Sequence, residues 1–109
     1  MSGARCVLVV DDDASTRELV RLVLTDEGYC VLEAAEGESA LQFVRVDPPS
    51  LILLDLIMPS MDGWQFIEAY YRQASVPAPI VLTTAVNPAL ADIQPGWISG
   101  ILPKPFDID

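Results

Sequence analysis

The chain has 109 residues, about half of them apolar, and a formal charge of −10 from sixteen acids against six bases. That length accommodates one domain, 1–109, and six scattered bases cannot neutralise a phosphate backbone, so nucleic-acid binding by this chain is excluded. Histidine is absent, which removes the commonest general base, the usual zinc ligand and any Ser-His or Cys-His nucleophile pair. Chemistry is left to carboxylates, hydroxyls and one lysine, Lys104.

The first element is Cys6-Val7-Leu8-Val9-Val10, an unbroken apolar run that ends at Asp11-Asp12-Asp13. Apolar runs without alternation mark strands covered on both faces, as in a parallel sheet. A helix is expected from Ala14 to Glu27, with Leu19, Leu22 and Val23 inward and Arg17, Glu18 and Arg21 outward. Asp13 suits its N-cap and Gly28 its end. Cys30-Val31-Leu32-Glu33-Ala34 is a more mixed strand, fitting a sheet edge. Cys6 and Cys30, each inside an apolar run, read as small buried hydrophobes in preference to a disulfide or redox pair.

A second helix runs from Glu38 to Val46, with Ala40, Leu41 and Val44 inward, and Pro48-Pro49 stops it. The run Leu51-Ile52-Leu53-Leu54 ends at Asp55. A third helix starts near Gly63 and carries Phe66, Ile67 and Tyr70 on its buried stripe. Ile80-Val81-Leu82 ends at Thr83 and Thr84. Pro88 and Pro95 leave room for a fourth helix of barely two turns, and Ile98-Ser99-Gly100-Ile101-Leu102 is a mixed last strand. The chain ends at Asp109, so a fifth helix is expected to be missing. No leader precedes the first strand, and no apolar stretch approaches the ~20 residues needed to cross a bilayer. The expectation is a cytoplasmic protein that does not enter membranes.

Strand and helix alternating through short connections predict a doubly wound α/β sheet with right-handed crossovers. Ligands of such sheets bind beyond the carboxyl ends of the strands. The polar groups that follow the apolar runs are therefore expected at one sheet edge: Asp11, Asp12 and Asp13, then Asp55, then Thr83 and Thr84, then Lys104. Two carboxylates ~4 Å apart repel by ~4 kcal/mol at an effective dielectric near 20, so such a cluster calls for a proton or a cation. Oxygen-only ligands favour Mg²⁺. A hard cation with one ammonium and one hydroxyl nearby makes a phosphate site, and a carboxylate is a competent nucleophile for phosphoryl transfer.

From Val7 to Phe106 the chain resembles the response-regulator receiver family of two-component signalling. The motifs that carry the likeness are Val9-Val10-Asp11-Asp12-Asp13, the string from Leu53 through Asp55, Met58, Pro59, Met61 and Asp62 to Gly63, Thr84-Ala85, and Lys104-Pro105-Phe106. The resemblance implies a flavodoxin-like, five-stranded sheet of order 2-1-3-4-5. It implies Asp55 as phosphoacceptor, with Asp12, Asp55 and the backbone carbonyl of Ile57 holding Mg²⁺ directly and Asp11 acting through water. Thr84 would bond a phosphoryl oxygen, and Lys104 would pair with the phosphate across a Lys104-Pro105 peptide that is commonly cis in the family. Such a domain accepts phosphoryl groups for signalling and is not a turnover enzyme. Its donor is a sensor histidine kinase or a histidine phosphotransfer domain, docking on the first helix near Thr16, Leu19 and Val20.

The chain departs from the family pattern in three places. Ile101 stands where the family has a switch aromatic, the fourth helix is short, and the fifth is missing. Ile57 and Val86, two residues past Asp55 and Thr84, are apolar where the family borders the attacking water, which implies slow loss of the phosphoryl group. Two other readings fit parts of the sequence. One is a pseudo-receiver that binds partners without phosphorylation. The other is a haloacid-dehalogenase-like phosphatase, in which Asp11 is the nucleophile and Asp13 the acid/base.

Overall fold

A computed structural model describes residues 6–55, 58, 61–74, 76–84 and 100–103, with the side chains of Thr84 and of 100–103 left undescribed. Five parallel strands form one sheet in the order β2-β1-β3-β4-β5. They are β1 (Cys6–Val10), β2 (Cys30–Ala34), β3 (Leu51–Asp55), β4 (Ile80–Thr84) and β5 (Gly100–Pro103), and three described helices join them: α1 (Ala14–Asp26), α2 (Gly37–Val46) and α3 (Gly63–Gln73). The unbroken apolar runs β1 and β3 lie inside the sheet, and the mixed runs β2 and β5 form its edges. The expected short fourth helix falls outside the described residues.

Alternation along the strands divides the core between two faces. Leu8, Val10, Ile52, Leu54, Ile80 and Leu82 pack with Ala40 and Val44 of α2 and with Phe66, Ile67 and Tyr70 of α3. Val7, Val9 and Leu53 pack with Val20 of α1, and Leu24 and Val31 close around them. Helices thus cover both faces, which is why the inner strands carry no polar alternation. The Phe66 and Tyr70 rings stack with centroids 5.7 Å apart.

The end of α1 shows why a glycine is needed at position 28. The N–H of Gly28 donates to the Thr25 carbonyl, and that of Tyr29 donates to the Leu24 carbonyl. This is the paired pattern that closes a helix through a left-handed residue, and Gly28 has φ +93°.

Two expectations about side chains need correction. Leu19 and Leu22 are exposed, and Val20 is the buried residue of α1. Apolar residues occupy positions 19, 20, 22, 23 and 24, which spread around most of the helix, so periodicity alone leaves its roll open. Ion pairs settle it: Arg17 and Arg21, expected to point outward, both reach Glu33 on β2 at 3.3 and 3.2 Å. That roll turns Val20 and Leu24 down onto β1 and leaves Leu19 and Leu22 in solvent. Cys6 is buried as expected, but Cys30, on the edge strand, is exposed.

Candidate functional site

The carboxyl ends of β1 and β3 bring the acidic residues together. Asp11, Asp12 and Asp55 each offer a carboxylate oxygen, and these oxygens all lie within 4.8 Å of one another. Asp11 follows β1 and extends the ladder by one bond, its N–H donating to the Ala34 carbonyl at 3.1 Å. Asp55 is the last residue of β3, level with Thr83 of β4. Asp11 and Asp55 are 1% and 6% exposed, whereas Asp12 faces solvent. The pocket therefore has a buried floor and an open acidic rim.

The acidic triplet divides its labour. Asp13 has left the cluster to cap α1: its carboxylate accepts from the Ser15 N–H and from the Thr16 hydroxyl, the latter at 2.6 Å. This satisfies a donor that the helix start would otherwise leave unpaired. Asp11 is held from two sides. Its carboxylate accepts from the Asp13 N–H at 2.9 Å, and its backbone carbonyl accepts from the Arg17 guanidinium at 2.7 Å. The same guanidinium pairs with Glu33, so Arg17 ties the acidic turn to the edge strand.

Sequence reasoning missed this brace because it assigned Arg17 to the solvent face. The available signal was Glu33, the one acid within β2, in a strand that otherwise has only apolar side chains. The turn between β3 and α3 is fixed as well. Asp62 accepts from the Gln65 N–H while the Gln65 side chain accepts from the Asp62 N–H, each at 2.9 Å, a reciprocal cap on α3. Met58 is buried. Met61 lies against Gly37 at the start of α2, where an added Cβ would stand 2.7 Å from its sulfur.

Of the remaining expected site residues, Thr84 closes β4, one position past the Asp55–Thr83 pair and level with Pro103 of β5. Its backbone is thus at the same sheet edge as the acids. Ile57 and Lys104 lie outside the described residues, as do Val86 and the Lys104-Pro105 peptide; of Ile101 only the backbone is described.

The donor set decides what the cluster suits. Among the described residues the cluster is three carboxylates with no sulfur or nitrogen ligand, a hard site of the kind that suits Mg²⁺, Ca²⁺ or Mn²⁺. Burial of two of them weakens the solvent screening that would otherwise make their mutual repulsion tolerable.

Comparison with known proteins agrees with this fold. The sequence profile of the response regulator receiver domain matches residues 7–109. The probable transcriptional regulator ycf27 of Porphyridium aerugineum is 38% identical over 81 residues, which cover 74% of this chain and 33% of that protein. Response regulator MprA of Mycolicibacterium vanbaalenii is 36% identical over 106 residues, covering 94% of this chain and 45% of that one. This chain thus spans a third to under a half of these curated relatives. Among solved structures, chemotaxis response regulator CheY4 of Vibrio cholerae superposes with a TM-score of 0.83 at 32% identity, over 95% of this chain and 89% of that one. Response regulator TrrA of Thermotoga maritima, solved in complex with Mg²⁺-BeF, gives a TM-score of 0.84 at 30% identity, over 96% and 90% of the two chains.

Proposed function

This chain belongs to the response regulator receiver domain family, and within that fold we propose that Asp55 accepts the phosphoryl group in a Mg²⁺-dependent reaction. One observation carries the reading: Asp55, alone at the end of β3, shares a pocket with Asp11 and Asp12 from β1. Asp12 and Asp55, with the Ile57 backbone carbonyl, are the proposed direct metal ligands, and Asp11 acts through water. When bound, Mg²⁺ supplies charge that offsets the carboxylates and the incoming phosphoryl oxygens. TrrA in complex with Mg²⁺-BeF, with a TM-score of 0.84 to this chain, supports the assignment.

The chemistry asked of this chain's own residues is positional. The β3 backbone holds the Asp55 carboxylate in line with the phosphorus, Thr84 donates its hydroxyl to a phosphoryl oxygen, and Lys104 pairs with another. The phosphorus–nitrogen bond of a phosphohistidine donor breaks as the Asp55 oxygen–phosphorus bond forms. Since the chain has no histidine, that donor is a sensor histidine kinase or a histidine phosphotransfer domain. Docking is assigned to the solvent face of α1, where Leu19 is exposed; Val20 is buried and contributes only to the core.

No described helix is long and apolar enough to cross a membrane; we assign the domain to the cytoplasm, as a phosphoaccepting switch without turnover of its own. The phosphatase alternative needs Asp13 as acid/base, but the carboxylate of Asp13 is engaged in capping α1. Incubation with Mg²⁺ and acetyl phosphate tests the proposal by intact mass. Wild type should gain one phosphoryl group and Asp55→Asn none. Equal labelling of that variant would remove Asp55 as acceptor, and no labelling of wild type would favour a partner-binding pseudo-receiver.

A further inference from the structure

At the end of the sheet remote from the acids, two thiols face each other across the β1–β2 ladder. Cys6 opens β1, Cys30 opens β2, and they are Cα partners in the parallel register. Both are free thiols, Cys6 buried and Cys30 exposed. Register partners project to the same side of a sheet. Here that is the face of Leu8, Val10 and Ala34, covered by α2 and α3. Neighbouring strands run about 4.8 Å apart, inside the range of roughly 4.4–6.8 Å that a disulfide spans between Cα atoms. β2 is an edge strand with β1 as its hydrogen-bonded neighbour, so it can take up the small adjustment that bridging requires.

We propose that Cys6 and Cys30 form a dithiol–disulfide site, oxidised by small-molecule disulfides, that staples the edge strand β2 to β1. The unequal exposure of the two sulfurs assigns their roles. The accessible Cys30, as thiolate, attacks one sulfur of an oxidant such as oxidised glutathione. A Cys30–glutathione bond forms, the oxidant's own disulfide breaks, and one reduced glutathione leaves. Cys6 then gives up its proton and attacks the Cys30 sulfur; the Cys6–Cys30 bond forms and a second reduced glutathione departs. Two protein thiols are oxidised and one glutathione disulfide is reduced, which balances atoms and electrons.

An exposed attacking thiol beside a sheltered resolving one is the arrangement expected of a reversible redox site. The Cys6 thiol is pushed up to about 11, first by its hydrogen bond with the Cys30 sulfur and then by burial, which suits the resolving role and not the attacking one. The ring so closed contains β1, the acidic turn and α1. The site does not depend on the phosphoryl-acceptor reading.

The reduced chain incubated with oxidised glutathione, quenched with iodoacetamide and read by intact mass and peptide mapping tests this. Wild type should lose the mass of two hydrogens, leave neither cysteine alkylated, run as a monomer without reductant and melt on the order of 10 °C higher. Cys6→Ala should stop with one glutathione on residue 30, and Cys30→Ser should leave Cys6 almost unreacted. Three wild-type outcomes would overturn the proposal: accumulation of a mixed disulfide at Cys30, a Cys30–Cys30 linked dimer, or alkylation of both thiols after exposure to the oxidant. Because these readings are made on wild type, they hold even if either variant folds poorly.

Discussion

The buried hydroxyl of Tyr70 accepts a 2.8 Å hydrogen bond from the backbone N–H of Ala78. The bond joins α3 to the segment that leads into β4, and it satisfies a backbone donor held away from water. Tyr70→Phe keeps the ring stacked on Phe66 and removes only this acceptor. The stranded N–H should cost about 1–2 kcal/mol. Urea unfolding should show a lower midpoint with an unchanged slope, while the yield of phosphorylated protein stays at the wild-type level.

Gly28 gives a second stability test of a different kind. An added Cβ would meet nothing within 4 Å, so any penalty on Gly28→Ala comes from the positive φ and not from a clash. Holding alanine there should cost about 1 kcal/mol. Asparagine, which tolerates that conformation better, should recover part of the loss. Equal stability of the glycine, alanine and asparagine forms in thermal melts would mean that the α1 terminus does not need the left-handed turn.

The sheet was legible because its inner strands are continuous apolar runs that stop abruptly at polar residues. The ends of β1 and β3 are the same signal as the candidate site, so Asp11, Asp12 and Asp55 could be grouped before any coordinates. α3 was legible for a related reason, since Phe66, Ile67 and Tyr70 share one buried stripe, and in α2 the expected Ala40 and Val44 are buried although Phe43 and Val46 of the same helix are exposed. α1 was not legible. Five apolar residues between positions 19 and 24 leave its roll to the Arg17 and Arg21 contacts with Glu33, which are tertiary and invisible to periodicity. Asp13 was legible as the N-cap of α1, since it is the last acid before the helix, but its absence from the acidic cluster followed from that side-chain engagement and not from the run of three acids. Cys30 looked buried because its strand is apolar, but it opens an edge strand.

The reduced protein should lose stability in alkali, with an identifiable share from Cys6. Its thiol is raised from 9.0 to about 11 in the fold, so the native state holds that proton more tightly than the unfolded chain. The resulting stabilisation is fully present below about pH 9 and is lost as pH rises towards about 11. Tyr71, raised by burial and then by Tyr70, acts in the same direction. Unfolding midpoints under reducing conditions should therefore fall over this window in wild type. The fall should be shallower in Cys6→Ser and in Tyr71→Phe; identical slopes in all three would show that neither group is perturbed by folding.

Divalent metal should stabilise the domain, and removing one acid should have opposite effects on the metal-free and metal-loaded forms. With oxygens of Asp11, Asp12 and Asp55 within 4.8 Å, the cluster gathers like-signed groups that a divalent cation would hold together. Mg²⁺ at about ten times its dissociation constant should add about 1.4 kcal/mol to stability, a rise of roughly 5 °C in melting temperature for a domain of this size. EDTA should reverse it, and sodium chloride at matched ionic strength should not reproduce it. Asp12→Asn removes the exposed member of the cluster and leaves the buried pair in place. In EDTA this variant should melt above wild type, because a repelling charge has gone; in Mg²⁺ it should gain little, because a ligand has gone. A variant that melts below wild type in EDTA while keeping the full Mg²⁺ response would mean that Asp12 serves the turn and not the metal.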